Sequence, residues 1–421
     1  MTGVQTCALP ICLAALGVDV RVGHSADQVG EAAVVTRSTA VPDSNPECRA
    51  ALERGIRLCG RPEVLGAISA LRHTIAVAGT HGKTTTASML ALVLRGAGLR
   101  PSFIIGGDVN EIGTGAAWDE GDLLVVEADE SDGSFLELSA RFGLVTNLEP
   151  DHLEHHGGFD PLLEAFDRFV EAVDGPVVVG VDDEEGAALA ARHGTATVGT
   201  SAGSDWRLSE VVESWEGVRF ILTGPVTGAF GLELPVPGLH NARNAASAAA
   251  VAVLAGAAPE AVASALARFG GVARRFEHRG QAAGVVLVDD YAHLPTEVGA
   301  VLATARSGGF ARVVAVFQPH RFSRTEALWS SFGGAFDDAD VLYVTDVYPS
   351  GEAPRPGVSG RLVADAVLRD RPGADVRYVA RREDLLDALV GELRDGDLCL
   401  TMGAGDLTAV PDQLRARLGA S

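Results

Sequence analysis

The chain has little cysteine, a deficit of positive charge and no long hydrophobic run. Its five cysteines (Cys7, Cys12, Cys48, Cys59 and Cys399) are odd in number and form no C-x-x-C pair. Neither a zinc cage nor a disulfide framework is expected, and a reducing compartment fits best. Lys plus Arg number 34 against 56 Asp plus Glu, a net charge of −22. Without a basic footprint no nucleic-acid partner is expected, and an anionic membrane surface is a poor match. No apolar stretch reaches the ~18–20 residues of a membrane span. The longest candidate, residues 245–258, is Ala-rich, stops at Pro259 and reads as a buried helix. Residues 1–12 carry no Lys or Arg ahead of their apolar part, which argues against a signal peptide. They also lack any helix or strand period, and are read as a non-native segment joined to a chain already in progress.

What remains is a globular composition: 421 residues, 47% apolar and 21% charged, with 50 glycines. That length predicts two to four domains. Helix-like and strand-like stretches alternate, which predicts an α/β fold with parallel sheets. Residues 13–24 read as a helix tail, a Gly stop and a strand. Strands are expected at 32–38, 73–79, 122–129, 142–152 and 176–184, with an alternating-polarity stretch at 206–224. A second block opens near residue 271, with strands at 285–291, 312–318, 340–348 and 397–406. The boundaries predicted are 13–62, 63–270 and 271–421, with the helix at 63–71 as a bridge between domains.

The strongest local signal is GTHGKTTT at 79–86, set between a strand and a helix. Backbone N–H groups and a helix N-terminus there present positive potential to a phosphate. Lys83 adds a full charge, and Thr84 a hydroxyl suited to Mg²⁺. The spacing is G-x-x-G-K-T, shorter than the usual phosphate loop. Glu127 closes the strand at 122–129, with Asp129, Glu130 and Asp132 behind it, where a carboxylate can hold a metal. Asp151 and His152 follow the next strand. Asn241 and Asn244 lie three apart at a helix start, suited either to an adenine edge or to capping. The last block holds RRFE (274–277), DDYAHLPTEV (289–298), FQPHRFSRT (317–325) and MGAGD (402–406). Arg321 and Arg324, also three apart, suit a carboxylate or phosphate.

In this order, with EADESDGSF (127–135), TNLEPDHLEHHG (146–157), GLHNARNAASA (238–248) and DVYPSGEAPRPGVSG (346–360), the motifs resemble the Mur ligases of bacterial peptidoglycan synthesis. The resemblance covers nearly everything after residue 13. It implies three α/β domains: a UDP-substrate domain, partial here, a central P-loop ATPase-like domain and a C-terminal Rossmann-like domain. It implies ATP and Mg²⁺, a bacterial cytoplasmic location, and ligation of L-alanine to the carboxylate of UDP-N-acetylmuramate through an acyl phosphate. By position, Gly79, Thr80, His81, Gly82, Lys83, Thr84 and Thr85 would bind ATP phosphates, with Asn241 and Asn244 at the adenine. Thr84 and Glu127 would hold one Mg²⁺ and His152 a second. Lys83, His152, His293, Arg321 and Arg324 would be catalytic. Tyr291, His320, Arg321 and Arg324 would meet the amino acid or acyl phosphate, and His24 and Ser38 the UDP substrate.

There are departures. The opening G-x-G-G-x-G-M-S of the family is missing, so an N-terminally incomplete copy is expected. The usual Y-G-H-H-P-T-E reads Tyr291-Ala292-His293-Leu294-Pro295-Thr296-Glu297, one imidazole fewer. No Lys after His152 can play the carbamylated lysine of some relatives. The alternatives are a ligase that adds a ready-made tripeptide to the same acceptor, a nucleotide-binding ATPase without ligation, and an inactive ATP-binding fragment.

Overall fold

The computed structural model describes residues 13–14, 17–38, 41–151 and 156–419, so the expectations for residues 1–12, Thr39, His152 and His155 lie outside the described residues. The chain forms two compact units, Met1–Leu71 and Arg72–Ser421.

In the first unit, strands β1 (Val34–Arg37) and β2 (Arg57–Gly60) pair in parallel. Parallel strands need a crossover, and the helix Pro46–Glu53 supplies it. Asn45 caps that helix, its side chain accepting from the Glu47 N–H at 2.9 Å, and Pro46 occupies the first turn where its missing N–H is harmless. Cys48 and Ala51 bury the inner face of the helix. A second helix, Arg61–Ser69, ends the unit. The strand expected over residues 18–22 does not form. Among the described residues no neighbour offers it a ladder, and Val22 is 92% exposed; an unpaired strand has nowhere to place its backbone hydrogen bonds.

The second unit contains two sheets. The strands of the first are β3 (His73–Ala78), β4 (Ser102–Val109), β5 (Thr114–Ala117), β6 (Leu123–Glu127), β7 (Ala140–Val145), β8 (Val177–Gly180), β9 (Ala196–Gly199), β10 (Trp206–Ser214), β11 (Gly217–Gly224) and β12 (Gly228–Leu234). They lie in the order β12-β11-β10-β9-β8-β7-β3-β6-β4-β5. From β10 to β4 the pairings are parallel, whereas β10-β11-β12 and β4-β5 are antiparallel. The sheet is therefore mixed rather than purely parallel. Its central strands are continuously apolar because both faces are covered. The helices Lys83–Gly96 and Leu239–Leu254 pack together over it, with Met89, Leu90 and Val93 in one core with Ala245, Ala248, Ala249 and Ala252. The small alanines let the two helix backbones approach closely. The chain over 142–152 is strand only as far as Val145.

The second sheet comprises β13 (Glu277–Ala282), β14 (Val285–Asp290), β15 (Arg312–Phe317), β16 (Val341–Val344), β17 (Asp375–Tyr378) and β18 (Asp397–Met402), ordered β13-β14-β18-β15-β16-β17. All but β13 run parallel. Val298 and Leu302 from the helix Pro295–Arg306 join Val363 and Val367 in one core; Leu385, Leu389 and Leu414 fill another. Helices on two faces of a mostly parallel sheet make this a doubly wound layer. Ligands bind such sheets outside the carboxyl ends of the strands, and the chemistry-bearing segments after β3, β6, β7, β14 and β15 all start there. Among the described residues no helix is long and apolar enough to cross a membrane.

Candidate active site

The loop after β3 is held by its glycines. Gly79 has φ +122° and Gly82 φ +78°, both in the region where a Cβ is strained. A Cβ on Gly79 would strike the Thr146 hydroxyl, and one on Gly82 the Asn244 amide. These close approaches bring together three motifs that are remote in sequence: 79–86, 146–151 and 238–248. Thr80 exchanges hydrogen bonds with Glu149, donating from Oγ1 to its carbonyl (3.1 Å) and accepting from its N–H (2.9 Å).

Lys83 opens the helix that follows. Its Nζ donates to the Gly79 carbonyl (2.7 Å), the Thr80 carbonyl (3.2 Å) and Glu130 Oε1 (2.8 Å). Burial opposes the ammonium charge, but Glu130, with Asp129 and Glu127 beyond it, outweighs burial and raises the Lys83 pKa. Burial pushes Glu130 up to about 7 against the pull of Lys83. Thr84 Oγ1 donates to Glu127 Oε1 at 2.8 Å, and Glu127 Oε2 accepts from the Gly106 N–H at 2.7 Å. Glu130 Oε2 is buried and has no hydrogen-bond partner among the described residues. Thr84 and Glu127 present hard oxygens of the kind Mg²⁺ takes, and Glu130 adds a buried carboxylate oxygen without a partner on the same loop cluster. Among the described residues no group of three or more His, Cys, Asp or Glu is gathered for a metal.

His81, the loop's other charged group, is clasped by two carboxylates. Nδ1 lies 3.1 Å from Glu297 Oε1 and Nε2 3.3 Å from Glu149 Oε2. Burial opposes a charged ring, but Glu297 and Glu149 outweigh it and raise His81 to about 9. A raised pKa means that the folded chain keeps a proton the unfolded chain releases. The associated stability is fully present below the ordinary value of 6.5 and lost as pH rises through about 9. The unfolding free energy should therefore drop by about 2 kcal/mol between pH 7 and 9.5. Urea titrations at those two pH values check this; equal midpoints would contradict it.

The second sheet supplies the opposite wall. Asp290 accepts from the N–H groups of Phe276 (2.7 Å) and Ala292 (2.6 Å), and burial pushes it up to about 6. The guanidinium groups of Arg274 and Arg275 lie 4.9 and 5.0 Å from the Tyr291 ring centre. Tyr291, His293, His320 and Tyr348 form a run of rings with centroids 5.5, 6.0 and 5.6 Å apart. Burial lowers His293 to about 4 and His320 to about 3, so both are neutral imidazoles. Leu294 is buried at the start of the helix Pro295–Arg306.

Arg321 and Arg324 take separate places. Arg324 is buried and forked onto Asp151, with Nε 3.2 Å and Nη2 3.1 Å from Oδ1, and its Nη1 lies 3.4 Å from His320 Nδ1. Its guanidinium is thus engaged by a protein carboxylate. Arg321 holds φ +66°, ψ +138°, a conformation costing a non-glycine residue about 1–3 kcal/mol. Its N–H donates to the Tyr348 carbonyl at 2.8 Å, which ties this strained position to the segment after β16.

Between the two sheets lies a cavity of about 320 Å³, lined by residues that include His81, Gly82, Thr85, Asn241, Asn244 and Arg275. Asn241 and Asn244 stand on its wall, but neither caps the helix, because Gly238 is the N-cap. The Asn241 amide donates to the Pro237 carbonyl at 2.7 Å, which occupies one of its donors. His24 and Ser38 belong to the first unit: His24 Nδ1 lies 3.2 Å from Glu47 Oε1, and Ser38 is exposed just past β1.

Glu149, Arg275, Asp290 and Glu297 lie within the quoted motifs but were given no role there, and Asp182 lies outside them. Asp182 follows the carboxyl end of β8 and pairs with Arg243 at 2.6 Å across the cavity rim. That strand-end position was the available signal. For Glu297 the signal was its place as the third residue of a Pro-led helix.

The fold and site define a nucleotide-binding, multi-sheet α/β enzyme, and the comparisons with known proteins identify the family. Residues 77–252 match the Mur ligase middle domain, 274–405 the Mur ligase glutamate ligase domain, and 12–73 the Mur ligase family catalytic domain. The chain belongs to the Mur ligase family. A UDP-N-acetylmuramate–L-alanine ligase of Kineococcus radiotolerans is 47% identical over 94% of this chain and 85% of its own length. One from Nitratidesulfovibrio vulgaris is 44% identical over 94% and 88%. The crystal structure of UDP-N-acetylmuramate-alanine ligase MurC from Thermotoga maritima superimposes with a TM-score of 0.81 at 28% identity, covering 97% of this chain and 90% of that one.

Proposed function

We propose that this protein is an ATP-dependent carboxylate–amine ligase that joins L-alanine to UDP-N-acetylmuramate, acting in the bacterial cytoplasm in peptidoglycan precursor synthesis. The observation that carries the reading is the pairing of a phosphate loop, with Lys83 beside Thr84 and Glu127, against a wall of neutral imidazoles and arginines from the second sheet. The likeness to relatives with that activity, over nearly the whole chain, supports the substrate assignment.

In this reading the loop residues Gly79, Thr80, His81, Gly82, Lys83, Thr84 and Thr85 cradle the ATP phosphates. Asn241 and Asn244 line the base end of the cavity. Lys83 leaves Glu130 to stabilise the charge of the transferred phosphoryl group. Thr84 and Glu127 would hold Mg²⁺, and His152 would serve a second ion; when bound, Mg²⁺ would neutralise phosphate charge. A carboxylate oxygen of the acceptor takes the γ-phosphoryl group as ADP leaves, and the alanine amine then attacks the acyl carbon, forms the C–N bond, loses a proton and releases inorganic phosphate. His293, His320, Arg321, Arg324 and Tyr291 surround that second step. His24 and Ser38 serve the UDP end.

The test is phosphate release from ATP and Mg²⁺ with UDP-N-acetylmuramate, comparing no amine, L-alanine and the tripeptide. Release that depends on alanine is expected. Release only with the tripeptide would reassign the substrate, and release that ignores the amine would overturn ligation.

A further inference from the structure

The carboxylate of Glu297 is used twice. On one side Oε2 accepts from the N–H groups of His293 (2.9 Å) and Leu294 (3.2 Å), the reach-back of a capping box. A solvent-exposed Glu would do that equally well. Here the side chain is only 13% exposed, and Oε1 meets His81 Nδ1 on the phosphate loop, 216 residues away. The His81 main chain is itself pinned. Its N–H donates to Asn147 Oδ1 (2.9 Å), and its carbonyl accepts from Thr146 Oγ1 (2.6 Å) and Asn147 Nδ2 (3.0 Å). Its second ring nitrogen faces Glu149 Oε2, which Thr296 Oγ1 also engages at 2.7 Å. With carboxylates at both ring nitrogens, the doubly protonated imidazolium satisfies both contacts.

Glu297 also reaches the ring of His293, with Nδ1 3.4 Å from Oε2 and 3.0 Å from the Tyr291 carbonyl. A carbonyl only accepts, so Nδ1 carries the proton and Nε2 keeps its lone pair. We infer that Glu297 is a positioning residue: by bridging His81 to the backbone of His293 and Leu294 it fixes the segment that carries the His293 ring relative to the phosphate loop, and so aligns the amine half of the reaction with the phosphoryl half. This rests on the ligase reading above. The charged and titratable groups facing the bridge are His81, His293 and Arg275 on Glu297 itself, Glu149 beyond His81, and His240 and Asp290 nearby.

Glu297→Gln in the full chain separates this role from capping, because the amide oxygen can still accept from both N–H groups while the charge is gone. Initial rates with alanine and ATP varied from pH 6.5 to 9.5 are the readout. The bridge predicts that kcat drops about 10- to 100-fold, the scale of a misplaced reacting group. It predicts a KM for alanine raised about five-fold, a KM for ATP within two-fold, and activity that fades above about pH 7 instead of about 9. His81→Gln should reproduce the loss of kcat and the raised KM for alanine, with a raised KM for ATP as well because His81 belongs to the phosphate loop, and the double variant should lower kcat no further than the poorer single. Wild-type kinetics and pH profile in Glu297→Gln, or effects that multiply in the double variant, would overturn the bridge. If the wild-type chain does not turn over alanine, the ligase reading has failed on its own. The clasp is then read from the His81 ring by NMR: titration moving from near 9 toward 6.5 on Glu297→Gln supports it, and an unchanged value overturns it.

Discussion

Lys83→Met should lower kcat by about 10²–10³-fold, equivalent to the ~3–4 kcal/mol typical of one lost oxyanion-type donor. The ammonium is hydrogen-bonded within the loop, and its three partners, the Gly79 and Thr80 carbonyls and Glu130, hold it at the helix start. The substitution keeps the stem and removes the charge. The fold should survive it. Glu130, already pushed up to about 7 by burial, can take a proton once its partner is gone. The expected result is a near-normal melting temperature with loss of phosphate release in single-turnover assays. More than a tenth of wild-type rate would remove Lys83 from the chemistry.

Arg324→Met should cost both stability and activity. Arg324 and Asp151 are each 8% exposed at the side chain, and the guanidinium bonds both carboxylate oxygens, at 3.1 and 3.3 Å through Nη2. Removing one partner of a buried pair costs about 3–5 kcal/mol, because the other charge stays behind out of water. Arg324→Lys should recover little, since an ammonium cannot reproduce the fork. Asp151 immediately precedes His152, so displacement of its carboxylate should also slow turnover by at least about ten-fold, through the segment that carries the proposed second metal ligand. Thermal unfolding together with rates decides it. A melting temperature within 1–2 °C of wild type would mean that the pair contributes far less than its burial implies.

The strand, glycine loop and helix around Lys83 were legible because their signals are local: an apolar run, two glycines and a hydroxyl-rich helix start. The pairs that make the site were not. Lys83–Glu130, His81–Glu297 and Arg324–Asp151 join residues 47, 216 and 173 positions apart, and nothing in the spacing of charges along a chain announces them. The same holds for fold detail. β2, β5 and β17 are four residues each and β13 reads EHRGQA, so these strands exist through pairing rather than through hydrophobic period. The expected strand over 142–152 ran too far because Thr146, Asn147 and Glu149 look like its continuation. In the structure their side chains instead lock the phosphate loop. Asn241 and Asn244 do lie at a helix start, yet capping, one of their two readings, went to Gly238.

The central claim is that the acceptor carboxylate, not water, receives the phosphoryl group. It is tested most directly by supplying UDP-N-acetylmuramate labelled with ¹⁸O in its carboxylate, together with ATP, Mg²⁺ and L-alanine, and weighing the inorganic phosphate released. The account predicts one labelled oxygen in each phosphate, carried over when the amine displaces it from the acyl carbon. Phosphate without label would mean that water attacks ATP directly, and the carboxylate–amine ligase mechanism would be wrong.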